Sequence, residues 1–283
     1  FGVGYNQAIE IITSAYKLGI KYFDTAPLYG EGRSEARLGH VLPQLPREDF
    51  VISTKVGRVL NPDPINRIPI PDDDGLERLI AINTWKRDDI IRSINDSLGR
   101  LNLDYVDIVY VHDPDVESFG EEQANTDAFP TLIELREQGL IKAIGCGMNQ
   151  WEMAARFITR FDLDIVLLAG RYTLLDHSGL SKFLPLCENY NVKVAIGGPF
   201  NSGILAKDLT GPVSYDYEKA PPHLIEHATR INSVCTKYNI SLKAAALQFV
   251  YAHPSVVTVI PGVESVGELK ENIALSKQAI PND

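Results

Sequence analysis

Four side chains in this sequence, Asp24, Tyr29, Lys55 and His112, are of the types needed to move a proton to or from a carbonyl or hydroxyl oxygen. A tyrosine alone is a poor base, because a free phenol keeps its proton until about pH 10. A lysine ammonium beside it favours the phenolate and draws the pKa toward working range, and an aspartate paired with the lysine keeps it charged and oriented. A histidine then has a place hydrogen-bonding the substrate oxygen on which charge develops. Taken singly, each has a plainer reading: Asp24 as a cap, Lys55 as a solvated strand end, Tyr29 as packing and His112 as a satisfied core histidine. What outweighs those readings is where the four fall relative to the elements around them.

Short apolar runs bounded by turn residues predict strands over Ile20 to Asp24, Phe50 to Lys55, Tyr105 to His112, Ile141 to Gly145, Ile165 to Leu168, Val192 to Ile196 and Val256 to Ile260. Stretches of helical period alternate with them: Asn6 to Leu18, Ser34 to Leu42, Lys86 to Leu101, Thr126 to Glu137, Gln150 to Arg160, Leu180 to Tyr190, Pro222 to Tyr238, Leu242 to His253 and Ser265 to Lys277. Continuously apolar strands between helices are the mark of a parallel sheet buried on both faces. A length of 283 residues suits one (β/α)8 TIM barrel, an α/β fold, so residues 1–283 are read as a single domain, although an open doubly wound sheet would show the same alternation. An eighth strand around Phe1 to Gly4 would close the ring and is incomplete or missing in this chain. In such a barrel the active site lies at the C-terminal strand ends, which is where Asp24, Lys55 and His112 sit, with Tyr29 just beyond.

Two connections, Arg58 to Thr84 and Phe200 to Pro222, are long, rich in turn residues and without internal period, and are expected to be covers over substrate or cofactor. Trp85, Trp151, Tyr215, Tyr217 and the run Asp72-Asp73-Asp74 are candidates to line or gate a polar sugar site. The formal charge of −10, with no basic run, argues against nucleic acid or anionic membrane as partner and for a small molecule. Cys146, Cys187 and Cys235 are far apart, which suggests buried thiols in a reducing cytoplasm. No apolar run is long enough for a transmembrane helix.

The run Asp24-Thr25-Ala26-Pro27-Leu28-Tyr29-Gly30, followed by Gly32 and Ser34-Glu35, resembles the signature of the aldo-keto reductases, with Lys55 and His112 where that family places its lysine and histidine. The likeness spans Gly19 to Ile273. Ser53-Thr54-Lys55-Val56-Gly57-Arg58 and Asn201-Ser202-Gly203-Ile204-Leu205 are most similar to its sugar 1-dehydrogenases of the threo-aldose, fucose and galactose types and to the related pyridoxal 4-dehydrogenase. The resemblance implies a nicotinamide cofactor extended across the strand ends and a tyrosine acid or base. It also implies that Met148 and Asn149 hold the carboxamide, that Gly198, Pro199, Phe200, Asn201, Ser202, Gly203 and Leu205 wrap the pyrophosphate, and that Glu271 and Asn272 face the adenine.

Two departures from the family pattern stand out. Gly197 takes the place of an aromatic that would stack on the nicotinamide, leaving Phe200 or Tyr172 as candidates. After the last strand, Gly262 replaces the lysine and Glu268 the arginine of NADP-preferring relatives, and Glu264 adds a second acid. A 2′-phosphate needs cations, so the expectation is NAD rather than NADP. Other motifs are weaker. Gly30-Glu31-Gly32-Arg33-Ser34-Glu35 begins like a dinucleotide loop but lacks its third glycine. His223-Leu224-Ile225-Glu226-His227 matches the HxxEH pattern of a zinc peptidase, against which stands a solvated helix start with no further ligand identifiable. The reading reached from sequence is an NAD-dependent oxidoreductase that oxidises the C1 hemiacetal of an aldose to the lactone, reversibly. The alternatives are a pyridoxal 4-dehydrogenase or a general aldehyde and ketone reductase, and more remotely a zinc peptidase through the HxxEH motif.

Overall fold

The computed structural model describes residues 2–65 and 78–281. The chain divides into two compact units: Phe1–Met148 with Arg160–Ile165 and Glu264–Val266, and Asn149–Thr159 with Val166–Val263 and Gly267–Asp283.

In the first unit the order is α1 (Tyr5–Lys17), β1 (Tyr22–Asp24), α2 (Arg33–Val41), β2 (Val51–Val56), β3 (Arg58–Pro62), β4 (Leu79–Asn83), α3 (Arg87–Leu101), β5 (Val106–His112), the short α4 (Gly120–Gln123), α5 (Phe129–Glu137) and β6 (Ile141–Met148). Helix α3 carries Asp88 and Asp89 in its first turn, Arg100 in its last and a left-handed Asn102 as C-cap, each favourable to the helix dipole or to the stop. Strands β1, β2, β5 and β6 pair in that order, all parallel. One side of β2 faces helices: Thr54 Oγ1 donates to Glu35 Oε1 of α2 at 2.6 Å, and Arg100 Nε of α3 donates to Glu35 Oε2 at 2.7 Å. A fully buried carboxylate thus ties two helices to the strand that carries Lys55.

The second unit carries α6 (Glu152–Arg160), β7 (Ile165–Ala169), α7 (Phe183–Asn189), β8 (Lys193–Gly197), β9 (Ser214–Tyr215), β10 (Glu218–Lys219), α8 (Pro222–Lys237), α9 (Leu242–Phe249), β11 (Val256–Ile260) and α10 (Val266–Leu275), except that the end residues Arg160, Ile165 and Val266 belong to the first. Strands β7, β8 and β11 follow in that order, β8 and β11 pairing parallel. Ser241 caps α9, its hydroxyl accepting from the Ala244 amide at 3.1 Å.

All seven predicted strands form, with β6 running on to Met148. Residues 2–4 form no strand, and Phe1 lies outside the described residues. The helix expected from Thr126 opens instead as a π turn over Ala124–Ala128, with α5 following; Pro130 at its start has no N–H to give. The segment Arg58 to Thr84 is not structureless: its two ends are the antiparallel arms β3 and β4. The run Asp72-Asp73-Asp74 lies outside the described residues. Phe200 to Pro222 likewise contains a 3₁₀ turn, Asn201–Gly203, and the β9–β10 hairpin. Both hairpins escape a periodicity search because each arm is only two to five residues long.

Gly145 in β6 shows how closely this sheet packs, since a methyl there would meet the Ile165 carbonyl oxygen at 1.6 Å. Gly145→Ala is therefore expected to lose about 2–3 kcal/mol of unfolding free energy in urea. Gly99→Ala, inside α3 with nothing within 4 Å, is expected to gain about 0.5–1 kcal/mol.

Candidate active site

Side chains alternate along a strand, so Tyr22 and Asp24 of β1 share a face, as do Ser53 and Lys55 of β2 and Tyr110 and His112 of β5. The register sets Asp24 beside Ser53 and Lys55 beside Tyr110, which brings all six onto one face of the first unit. Tyr29 arrives from the loop after β1, its amide donating to the Ala26 carbonyl at 3.0 Å. Gly30, Glu31 and Gly32 follow in left-handed conformation and turn the chain into α2.

Lys55 is the centre. Its Nζ donates to Asp24 Oδ2 at 2.6 Å and to the Thr25 carbonyl at 2.8 Å, and lies 4.5 Å from the centre of the Tyr29 ring. Asp24 is held from its other oxygen by Ser53 Oγ at 2.6 Å. Behind Ser53, Tyr22 OH donates to Ser53 Oγ at 2.9 Å and meets Tyr110 OH at 3.0 Å. The Tyr29 and His112 rings meet edge to face with centroids 5.8 Å apart. The structure therefore gathers Asp24, Tyr29, Lys55 and His112 as expected, and adds a chain of hydroxyls that sequence reasoning missed.

The electrostatics differ from the expectation at one point. Burial pushes the Tyr29 phenol up, and although the Lys55 ammonium pulls it down, the net position is above the ordinary value. Tyr29 is thus a protonated phenol at neutral pH, ready to act as an acid. Burial disfavours the Lys55 charge, but Asp24 and Tyr29 more than restore it, so the ammonium is secure. Burial, with Lys55 and Arg58 adding to it, holds His112 well below its ordinary pKa, which makes it a neutral imidazole. Its Nδ1 is buried without a partner, and its Nε2 is 3.4 Å from Asp113 Oδ2. Burial, helped by Asp115, lifts the Asp113 carboxyl to about 6.

Arg58 and Asp113 are the other polar groups missed. Arg58 is buried, Nη1 donating to the carbonyls of Gly57 at 3.0 Å and His112 at 3.3 Å. Only its place in the run after Lys55 could have pointed to it. Trp85, a candidate sugar contact, is fully buried with its ring 5.2 Å from the Arg58 guanidinium, which it supports instead. Tyr215 spends its hydroxyl on Asp176 at 2.9 Å, Trp151 is half-buried and Tyr217 is exposed.

The residues expected at a cofactor fall as follows. In the first unit Met148 is buried at the end of β6 and Glu264 is exposed, its carbonyl accepting from Gln7 Nε2 at 2.6 Å. In the second, Asn149, Gly262, Glu268 and Glu271 are exposed and Asn272 is buried. Gly198, Asn201, Ser202 and Gly203 are all left-handed, a tight turn after β8 that runs from Pro199 and Phe200 to Leu205. Part of that turn is self-satisfied, since the amides of Gly203 and Leu205 both donate to the Phe200 carbonyl, so fewer of its N–H groups face outward than expected. Lys243 Nζ donates to Glu271 Oε2 at 2.5 Å and lies 5.6 Å from the Phe200 ring centre. Beside the turn is a groove of about 420 Å³ whose walls include Leu205, Lys207, Lys243 and Glu271. Asn272 Oδ1 is buried with no partner, an acceptor suited to the amino edge of a purine, so the residues present fit a dinucleotide. Tyr172, one candidate to stack on a nicotinamide, is engaged with the Phe249 and His253 rings at 5.2 and 6.2 Å. Among the described residues no group of three or more His, Cys, Asp or Glu is placed to hold a metal, and His223 and His227 lie on α8.

The profile of the "Aldo/keto reductase family" matches residues 2–283. The chain is 35% identical to a pyridoxal 4-dehydrogenase of Microbacterium luteolum over 98% of its own length and 85% of the relative's. It is equally 35% identical to a D-threo-aldose 1-dehydrogenase of a Pseudomonas species, with the same coverage of 98% and 85%. Among solved structures it is similar to the holo form of aldo-keto reductase AKR11C1 from Bacillus halodurans, with a TM-score of 0.75 at 23% identity, covering 98% of this chain and 84% of that one.

The opposed positions of His112 and Asp113 make a testable pH signature. Folded His112 resists a proton that the unfolded chain accepts below about pH 6.5, so stability falls as pH drops through that value, by up to about 1.4 kcal/mol per unit. Asp113 has the opposite sign. Folded, it binds its proton at about 6; unfolded, only near about 4, so its contribution is present at low pH and is lost as pH rises through the folded value. Urea unfolding is expected to show a loss just below about pH 6.5 that flattens lower down, and His112→Asn is expected to remove the initial loss. An undiminished loss in that variant would place its origin elsewhere.

Proposed function

This chain belongs to the aldo/keto reductase family, and we propose that within it the protein is an NAD-dependent oxidoreductase that oxidises the C1 hemiacetal of an aldose to the lactone. The fold is the family's (β/α)8 barrel, read here as one domain, and the chemistry is that of an oxidoreductase using a nicotinamide cofactor. The observation that carries the proposal is Lys55, held by Asp24 at 2.6 Å and lying 4.5 Å from the Tyr29 ring centre.

A bound nicotinamide would supply the hydride acceptor or donor. The protein's own part is the proton. In the reductive direction Tyr29 gives its proton to the carbonyl oxygen as an acid, and neutral His112 donates a hydrogen bond to the same oxygen. In the oxidative direction the Tyr29 phenol must first be deprotonated, which its raised pKa opposes. Oxidation is accordingly expected to accelerate with rising pH and reduction to slow, the change lying at higher pH than a histidine acid or base would place it.

The aldose reading is supported by the D-threo-aldose 1-dehydrogenase similarity, and pyridoxal is the competing substrate on the other 35% relative. NAD over NADP is supported by Glu264 and Glu268 and by the engagement of Lys243 with Glu271, which leaves that cation already neutralised. Met148, Asn149, the Gly198 to Leu205 turn, Gly262, Glu271 and Asn272 are the residues proposed to hold the cofactor. We place the activity in the cytoplasm on the strength of its dispersed, free cysteines.

A panel of aldoses and pyridoxal, each with NAD and NADP, tests the proposal directly. Turnover of aldoses with NAD is expected, and turnover confined to pyridoxal or to NADP would refute it. Tyr29→Phe is expected to lower kcat by at least about a hundredfold while nicotinamide binding, followed by fluorescence, stays within about twofold. Glu268→Arg is expected to raise kcat/KM for NADP by about tenfold.

A further inference from the structure

Arg58 carries a problem that the proton-transfer chemistry does not solve. Its guanidinium is 4% exposed, yet among the described residues no carboxylate lies within ion-pair distance of it, and both of its hydrogen bonds leave from Nη1 to backbone carbonyls. Buried cations are ordinarily paired, because an uncompensated charge is costly to desolvate. Trp85 lies against it, packed so tightly on Gly57 that a methyl there would meet the indole nitrogen at 2.1 Å, so the guanidinium is fixed in place. Asp113, next to His112, is the counterpart. It is a non-glycine residue in left-handed conformation, at φ 39°, a backbone state that has a cost and brings the carboxylate beside the imidazole, Oδ2 3.4 Å from Nε2. The Asp113 side chain keeps 21% of its surface open.

We infer that Arg58 and Asp113 form a substrate clamp, donor and acceptor, for the hydroxyls that neighbour the reacting carbon, and that the clamp selects polyhydroxylated substrates over plain aldehydes. The inference rests on the aldose-oxidising reading and deepens it by naming the groups that recognise the sugar. A hydroxyl both donates and accepts, so one sugar hydroxyl can give its proton to the Asp113 carboxylate while it or its neighbour accepts from the guanidinium. A plain aldehyde has no such hydroxyl and forgoes both contacts, and a site built to hydrogen-bond a hydroxyl discriminates strongly against an analogue lacking it. The charged and titratable groups facing Asp113 are Tyr29, His112, Lys55, Arg58 and Asp115. Of these Asp115 raises the carboxyl and Arg58 and Lys55 lower it, so the acceptor is lost as pH falls through about 6.

The test is calorimetric binding of L-fucose, D-galactose and D-arabinose to the full chain, with and without NAD, for wild type and Asp113→Asn, together with turnover of the same sugars and of propanal. The isosteric change at a partly open side chain keeps the shape, and Arg58→Lys, which keeps the charge but not the planar fork, is the second variant. The expected result is aldose binding weakened at least tenfold in Asp113→Asn, a rise in KM larger than the fall in kcat, and at least a tenfold drop in the ratio of kcat/KM for aldose over propanal. Wild-type aldose affinity is expected to decline below about pH 6 and that of Asp113→Asn to be flat there. Equal aldose affinity in wild type and both variants would overturn the clamp, as would a wild type that binds no aldose while turning over propanal or pyridoxal. A protein that binds aldoses through these residues but transfers no hydride would instead sink the oxidoreductase reading and leave the clamp standing.

Discussion

The ion pair between Asp24 and Lys55 is the constraint around which the first unit is arranged. Taking a carboxylate and an ammonium out of water costs several kcal/mol each, and their attraction repays this only if the remaining lone pairs and protons are satisfied. Here they are: one oxygen of Asp24 takes Lys55 and the other takes Ser53, while Lys55 also reaches the Thr25 carbonyl. Those bonds need β1 and β2 in one register only, since a slip by one residue would turn Asp24 or Lys55 toward the helices. Apolar side chains would fill the same space at less cost, so the pair is present for what it does to Tyr29.

What it does is more measured than simple activation. Burial and the lysine pull the Tyr29 phenol in opposite directions, and burial prevails. The ammonium therefore limits how far the phenol rises instead of making it a ready base. A site of this kind holds its proton until substrate and cofactor change the field around it. Neutral His112 follows the same economy, because burial and the neighbouring cations Lys55 and Arg58 all oppose a further positive charge there.

The four proton-transfer residues were legible because strand ends can be found from apolar runs, and β1, β2 and β5 end where those runs predicted. The hydroxyls behind them were not, since Tyr22, Ser53 and Tyr110 lie within strands that read simply as buried, and only the register reveals that they touch. The sign of the Tyr29 shift was illegible for another reason: it is a difference between two opposed effects, and burial depth is a property of the whole unit. Asp113 was hidden by its neighbour, because a backbone turned left-handed at a non-glycine residue leaves no trace in composition. The β3–β4 arms were missed because their pairing is between segments that a Pro- and Asp-rich stretch separates.

Those arms are fastened at their base. Asn83 Nδ2 donates to Glu117 Oε1 at 2.6 Å, the Trp85 amide donates to Gln123 Oε1 at 3.0 Å, and Thr84 Oγ1 donates to Asp89 Oδ2 at 2.7 Å. The wall behind Arg58 is thus secured independently of whatever the chain does between Pro62 and Leu79. The guanidinium is therefore positioned from α3 and α4, through Thr84 and Trp85, as well as from the strand that carries it, so its place and that of Lys55 are set by different elements.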